Sequence, residues 1–271
     1  MSEKIKKILK KTLPSFVIRL IASYRYGFFG PCKNWKEAKK KSTGYDSELI
    51  LNKVKNSLLK VKRGEAVFER DSVVFNRAEY SWPILAILLY IAGENNNRLN
   101  VLDFGGSLGS TYFQNRKFFV YLSELRWNIV EQSNFVACGK ENFSDQHLSF
   151  FNSIKECLSN EQPSVIVFSS AIQYLEKPYE ILKEVFDIGF EYIIFDRTTF
   201  TKDGDDRVTL QKVPPQVYDA SYPCWFLSKD KMVGFFTPKY ELVADFDALG
   251  GEIRQHSVQG GYRGLFFKLK K

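Results

Sequence analysis

Histidine is scarce in this chain: His147 and His256 are its two imidazoles in 271 residues. So few argue against a histidine-built metal centre, because imidazole is the commonest protein ligand for transition metals. No metal is expected. Cysteine is also sparse. Cys32, Cys138, Cys157 and Cys224 lie far apart and form no C-x-x-C pair. They read as reduced thiols in a cytoplasmic protein, not as a zinc site or a disulfide framework. No apolar stretch approaches the ~20 residues that a membrane-spanning helix needs, and no cleavable signal pattern is expected. Internal repeats and low-complexity tracts are missing too.

Positive charge is present but confined. Residues 1–41 carry twelve Lys and Arg against Glu3 and Glu37, while the remaining residues carry 27 basic and 29 acidic groups. The body is therefore nearly neutral and the basicity sits in one arm. A nucleic-acid enzyme spreads positive charge over its binding face, so nucleic acid is not expected as a partner. Within the arm, Lys4, Lys6, Lys7, Lys10 and Lys11 interleave with Ile5, Ile8, Leu9 and Leu13. Such a basic amphipathic segment suits the surface of an anionic membrane, or equally a solvated helix packed on its own domain. Peripheral membrane contact is placed on residues 1–24.

A chain of this length buries a sizeable core. Helices are expected near residues 35–41, 47–62 and 82–92, the second with Leu49, Ile50, Val54, Leu58 and Leu59 on one 3.6-period face. Gly30-Pro31-Cys32-Lys33-Asn34-Trp35 reads as a loop, and Glu69-Arg70-Asp71-Ser72 as a surface ion-pairing cluster. From residue 99 short apolar runs alternate with helical stretches, the pattern of βαβ units and a parallel sheet. Runs at 99–104, 127–131, 148–151, 165–169 and 192–196 are followed by a closing pair at 240–246 and 264–269. These fit a seven-stranded sheet whose last strand inserts antiparallel. The expected organisation is a basic arm over 1–41, a helical cap over 42–98, and an α/β Rossmann-like domain over 99–271 with an insertion at 201–238.

The most informative segment is Asn100-Val101-Leu102-Asp103-Phe104-Gly105-Gly106-Ser107-Leu108-Gly109-Ser110. An apolar run ends in an acid, then a glycine-rich turn, then a helix start, which is how open α/β sheets build a cofactor pocket. Glycine lets the backbone turn sharply and lets a ligand approach closely. A dinucleotide fingerprint requires G-x-G-x-x-G, but serines stand at 107 and 110, so the spacing is wrong for a nicotinamide cofactor. The pattern D-x-G-x-x-x-G resembles the first motif of class I S-adenosylmethionine methyltransferases, with Ser107 at the middle glycine.

The resemblance widens with Trp127-Asn128-Ile129-Val130-Glu131-Gln132 and Phe195-Asp196-Arg197-Thr198-Thr199-Phe200, and with Gly44-Tyr45-Asp46, the 69–72 cluster and Tyr218-Asp219-Ala220-Ser221-Tyr222-Pro223. Together these are similar to a bacterial family of methyltransferases, assigned by inference and often encoded among surface-polysaccharide genes. The resemblance spans roughly residues 27–269 and implies S-adenosylmethionine as cofactor. Asp103, Gly105, Gly106, Ser107 and Gly109 would then form the cofactor turn. Glu131, at a strand end, would accept the ribose hydroxyls, with Gln132 beside it and Asn152 at the adenine. Ser169, Ser170 and Gln173 would lie against the methionine part, Gln173 standing where such proteins commonly have histidine.

Methyl transfer to oxygen is an in-line displacement that needs alignment of acceptor and methyl and a base for the hydroxyl proton. Asp196 is the first choice for that base and His256 the second, with a structural Asp196–Arg197 ion pair as the alternative. Arg197 suits an anionic acceptor group. The insertion supplies Gln211, Tyr218, Tyr222 and Trp225, aromatic and amide groups that suit sugar rings. The expected function is O-methylation of a saccharide or surface-glycan precursor. The alternatives are a methyltransferase for a small phosphorylated or anionic acceptor, or a catalytically silent scaffold in glycan assembly.

Overall fold

The computed structural model describes residues 24–44, 47–70, 72–77, 79–215, 217–255 and 257–271. In chain order the elements are β1 (Gly27–Cys32), α1 (Trp35–Lys41), α2 (Ser47–Lys62), β2 (Phe68–Arg70), β3 (Val73–Phe75), α3 (Trp82–Glu94), β4 (Arg98–Phe104) and α4 (Ser110–Asn115). They continue with β5 (Glu124–Val130), α5 (Ser133–Asn142), β6 (Leu148–Phe151), α6 (Ile154–Leu158), β7 (Val165–Ser169), α7 (Pro178–Ile188), β8 (Tyr192–Thr201), β9 (Arg207–Lys212), β10 (Ser221–Phe226), α8 (Lys229–Phe236), β11 (Tyr240–Gln255) and β12 (Val258–Leu269). Short 3₁₀ turns follow α4 and β7.

Seven strands form the central sheet in the order β11–β12–β8–β7–β4–β5–β6. Strands β4 to β8 pair in parallel, and β12 inserts antiparallel between β8 and β11. This is the expected closing pair, although both strands run longer than their apolar runs. The central strands are apolar on both faces, as a parallel sheet covered by helices requires. Val101, Ile129, Val167 and Ile194 pack into the layer with α2, α3, α4 and α5. Their neighbours Leu102, Val130, Phe168 and Phe195 pack into the opposite layer with α6, α7 and α8. The period-2 alternation of Cβ directions divides one run between two cores.

Local chemistry sets the helix ends. The Asn34 side chain accepts from the Glu37 amide, while Glu37 accepts from the Lys33 amide, a reciprocal cap. Proline stands in the first turn of α3 and α7, where its missing N–H costs nothing. No helix of the described residues is long and apolar enough to cross a membrane.

Two small sheets lie outside the central one. Residues 30–32, read as the start of a loop, instead complete β1, which pairs antiparallel with β9; β9 also pairs with β10. Phe28, Cys224 and Phe226 form a separate small core with Ile253 and Val258 of the closing hairpin. The insertion is thus a folded subdomain completed by a strand from the start of the described chain. Strands β2 and β3 form a hairpin within the segment expected to be helical.

Candidate functional site

The chain passes from β4 outward to β5 and β6, then returns to β7 and β8 on the other side of β4. Strand order therefore reverses between β4 and β7, and ligands bind open α/β sheets in the crevice at such a point, beyond the carboxyl ends of the strands. The glycine turn sits there. Gly105 has φ +70, and a Cβ added to it would lie 2.7 Å from that of Ala171, on the far side of the crevice. Ser107 adopts φ +56 and Gly109 +100. The left-handed conformation that would favour glycine is present at 107 although the residue is serine.

Beneath the turn lies Asp103. It is fully buried, accepts a hydrogen bond from Trp127 Nε1 at 3.0 Å, and packs against Gly106, whose added Cβ would fall 2.6 Å from the carboxyl carbon. Burial pushes its pKa up to about 7; the Trp127 bond opposes the shift, while the charges of Glu131 and Asp196 add to it. Oδ1 has no hydrogen-bond partner among the described residues. Asp103 thus supports the turn from below, with no surface of its own in the crevice.

Glu131 follows the end of β5 and is half-buried. Burial raises its pKa, opposed by hydrogen bonds to its carboxylate from the Gln132 and Ser107 amides. The Ser107 bond joins the second strand end to the glycine turn. Gln132 is exposed as the residue before α5. Asn152 is also exposed, and both its amide and its side chain donate to Glu156.

Across the crevice, Ser169 Oγ donates to Asp196 Oδ2 at 2.8 Å, and the Ser170 amide donates to the Asp196 carbonyl at 2.9 Å. Gln173 is buried and donates through Nε2 to the Arg197 carbonyl at 3.0 Å and to Ser170 Oγ at 3.3 Å. Asp196 and Arg197 together stand opposite the single residue Gly264, since Leu265 pairs with Phe195 and Arg263 with Thr198. This β-bulge re-aims side chains and holds Arg197 at φ +46, a strained position for a non-glycine residue. Asp196 is buried. Arg197 Nε lies 3.7 Å from its Oδ2.

The sequence reading missed two contributors from the segment before β4. Ser81 Oγ donates to Asp196 Oδ1 at 3.3 Å. Glu69, expected at the surface, is buried and accepts from Ser110 Oγ at 2.5 Å and from the Ser72 amide at 2.7 Å. Its neighbour Arg70 does form an ion pair, with Glu79 at 2.9 Å; Asp71 lies outside the described residues. The Ser81–Asp196 and Glu69–Ser110 contacts have no sequence signal, because each partner is remote along the chain.

The insertion residues gather beside the loop after β7. Tyr174 donates to Gln211 Oε1 at 2.9 Å and packs edge-on against Tyr222, whose hydroxyl is 3.2 Å from that of Tyr218. Trp225 donates to the Leu175 carbonyl and stacks on Trp35. Tyr218 is buried in the larger core. His256 and residues 1–23, with the basic segment they carry, lie outside the described residues.

Strand order and connections define an open Rossmann-like α/β protein whose last strand inserts antiparallel. Solved structures with related folds include the amino-terminal domain of EvdMO1 in the presence of SAH and D-fucose, at 9% identity, 83% of this chain, 98% of that one and a TM-score of 0.48. They include the glycopeptide N-methyltransferase MtfA complexed with S-adenosylmethionine, at 10% identity, 69% and 94% coverage and 0.47. A third is an S-adenosylmethionine-dependent methyltransferase from Clostridium acetobutylicum, at 10%, 69% and 91%, and 0.43. Likeness at this level carries no inference about chemistry. No protein-family model and no curated protein matches the sequence.

Proposed function

We propose that this chain is an S-adenosylmethionine-dependent methyltransferase that methylates a hydroxyl of a saccharide or related surface-glycan precursor. The observation that carries the reading is an acidic crevice at the reversal of strand order, floored by a glycine turn. Glu131 and Asp196 stand at that crevice with Arg197 as the opposing charge, above the buried Asp103. Two carboxylates against one guanidinium suit a cofactor that brings a cation.

Glu131 would hold the ribose hydroxyls, and Gln132 and Asn152 would flank the adenine. Gly105, Gly106, Ser107 and Gly109 would let the ligand approach the backbone, while Ser169, Ser170 and Gln173 would line the methionine end. When bound, S-adenosylmethionine supplies an electrophilic methyl that passes to the acceptor oxygen as sulfur keeps the S–C electron pair. Asp196 takes the acceptor's hydroxyl proton, held in place by Ser169. Arg197 keeps a counter-charge beside it, with Gln211, Tyr218, Tyr222 and Trp225 as the insertion's contribution to the acceptor side. In the same reading the basic segment of residues 1–24 rests on the anionic inner face of the cytoplasmic membrane.

Calorimetric titration with S-adenosylmethionine and S-adenosylhomocysteine tests the cofactor. Micromolar binding that weakens at least ~10-fold in Glu131→Ala, about the loss of one charge-assisted hydrogen bond, is expected. Equal affinity in both proteins would remove Glu131 from the site, and no binding by either ligand would overturn the reading. One observation favours a silent scaffold instead: both oxygens of Asp196 already accept hydroxyl donors. That alternative predicts cofactor binding without turnover on any acceptor.

A further inference from the structure

The acceptor class of the proposed reaction follows from a group of rings at the mouth of the crevice, and this step rests on that reaction. Three residues separate the end of helix α3 from the start of β4, so the helix runs back along that strand. Its thirteen residues rise ~20 Å and the seven of β4 ~23 Å, which brings the start of α3 level with the carboxyl edge. The Ser81 hydroxyl on Asp196 is the direct sign of that placement.

The residues flanking Ser81 are aromatic. The rings of Tyr80 and Trp82 are 5.0 Å apart, and Phe118, in the 3₁₀ turn after α4, lies 5.3 Å from Tyr80 and 6.0 Å from Trp82. Trp82 is 59% exposed, against the usual burial of tryptophan, so its indole is open beside Ser81. By contrast, the insertion's Tyr218, Tyr222 and Trp225 are engaged with one another or with the protein. The Lys117 ammonium stands 4.9 Å from the Tyr80 ring centre and 5.0 Å from that of Phe118. Glu79, the carboxylate of the same segment, is paired with Arg70 instead.

We propose that Tyr80, Trp82, Phe118 and Lys117 form the acceptor platform, and that the acceptor is a pyranose carrying an acidic group. The apolar C–H face of such a ring stacks on the open indole, and its acidic group meets Lys117. A ring hydroxyl then takes the place of Ser81 at Asp196 Oδ1, where the present bond is longer than the Ser169 bond on Oδ2.

The test is ligand-observed NMR titration of the full chain, with and without saturating S-adenosylhomocysteine, using methyl glucuronide and methyl glucoside as probes. The acidic glycoside is expected to bind ~5-fold more tightly than the neutral one, the worth of one exposed charge pair. Trp82→Ala should weaken both ~10-fold, Trp82→Phe less, and Lys117→Gln should erase the acidic preference. Affinity for S-adenosylhomocysteine should stay within about twofold in every variant, since an exposed side chain is being changed. Glycoside binding that ignores Trp82, or that is absent from protein which binds the cofactor product, overturns the platform. A failure to bind S-adenosylhomocysteine overturns methyl transfer and is read separately from the glycoside arm.

Discussion

Asp103 illustrates how one side chain couples pH to the integrity of the turn. In the fold its pKa is raised to about 7 by burial, whereas in the unfolded chain an aspartate titrates near ~3.9. Between those values the folded state holds a proton that the unfolded state has lost, so stability falls as pH rises through that window and is unaffected below it. The melting temperature of the wild type should therefore drop from pH 5 to pH 8, and Asp103→Asn should flatten that decline. Equal slopes would mean that Asp103 is ionised in the fold. Asp196 gives the kinetic counterpart. Asp196→Asn should lower kcat by roughly 10²-fold, the lower range for general-base catalysis, while cofactor affinity stays near that of wild type; an unchanged kcat would leave Asp196 a structural acid. Asp196, expected to close its strand, lies inside β8 at the bulge, yet both aspartates were legible as acids of apolar strands. Their surroundings were not, because Trp127, Ser81 and Ser169 reach them from other elements.

At the scale of elements, close approach is the feature a sequence leaves implicit. Gly139 lies in α5 where the helix meets β6, and an added Cβ would fall 2.4 Å from the ring of Phe150. Alanine would gain ~1 kcal/mol of helix propensity, but overpacking a filled core costs ~1–3 kcal/mol and Phe150 is itself buried in that core. Gly139→Ala should accordingly lower stability in urea unfolding; a rise would show that the ring relocates freely. The strands flanking the glycine turn were legible because each is buried on both faces and so reads as a short apolar run. The three-residue strands β2 and β3, and the strands β1, β9 and β10, were not. Strands this short or this polar gain definition from their partners, and Gly27 pairs with Lys212, far away in sequence.

For the whole molecule, the uneven charge has a measurable consequence. The segment of residues 1–24 concentrates basic and apolar side chains ahead of a nearly neutral body, and each lysine near an anionic bilayer contributes about 1 kcal/mol. Deleting residues 2–24 should release the protein from phosphatidylserine-containing vesicles in a flotation assay. Undiminished flotation would move membrane contact elsewhere or remove it. The same global view explains the site's composition, since it draws on the segment before β4, the turn after it, the loop after β7 and the bulge in β8.

What the sequence determined by itself was the α/β class, the seven-strand count with its inserted final strand, and the glycine turn with Glu131 at a strand end. These follow from local signals: hydrophobic period, glycine in left-handed backbone, and the order of runs along the chain. Tertiary structure alone decided that Asp103 lies beneath the turn, that Ser81 and Glu69 reach the site, that a bulge aims Arg197, and that the insertion folds onto β1. Each of these depends on contacts between residues remote in sequence, whose pairing is set by packing of the whole core and leaves no periodic trace in the chain.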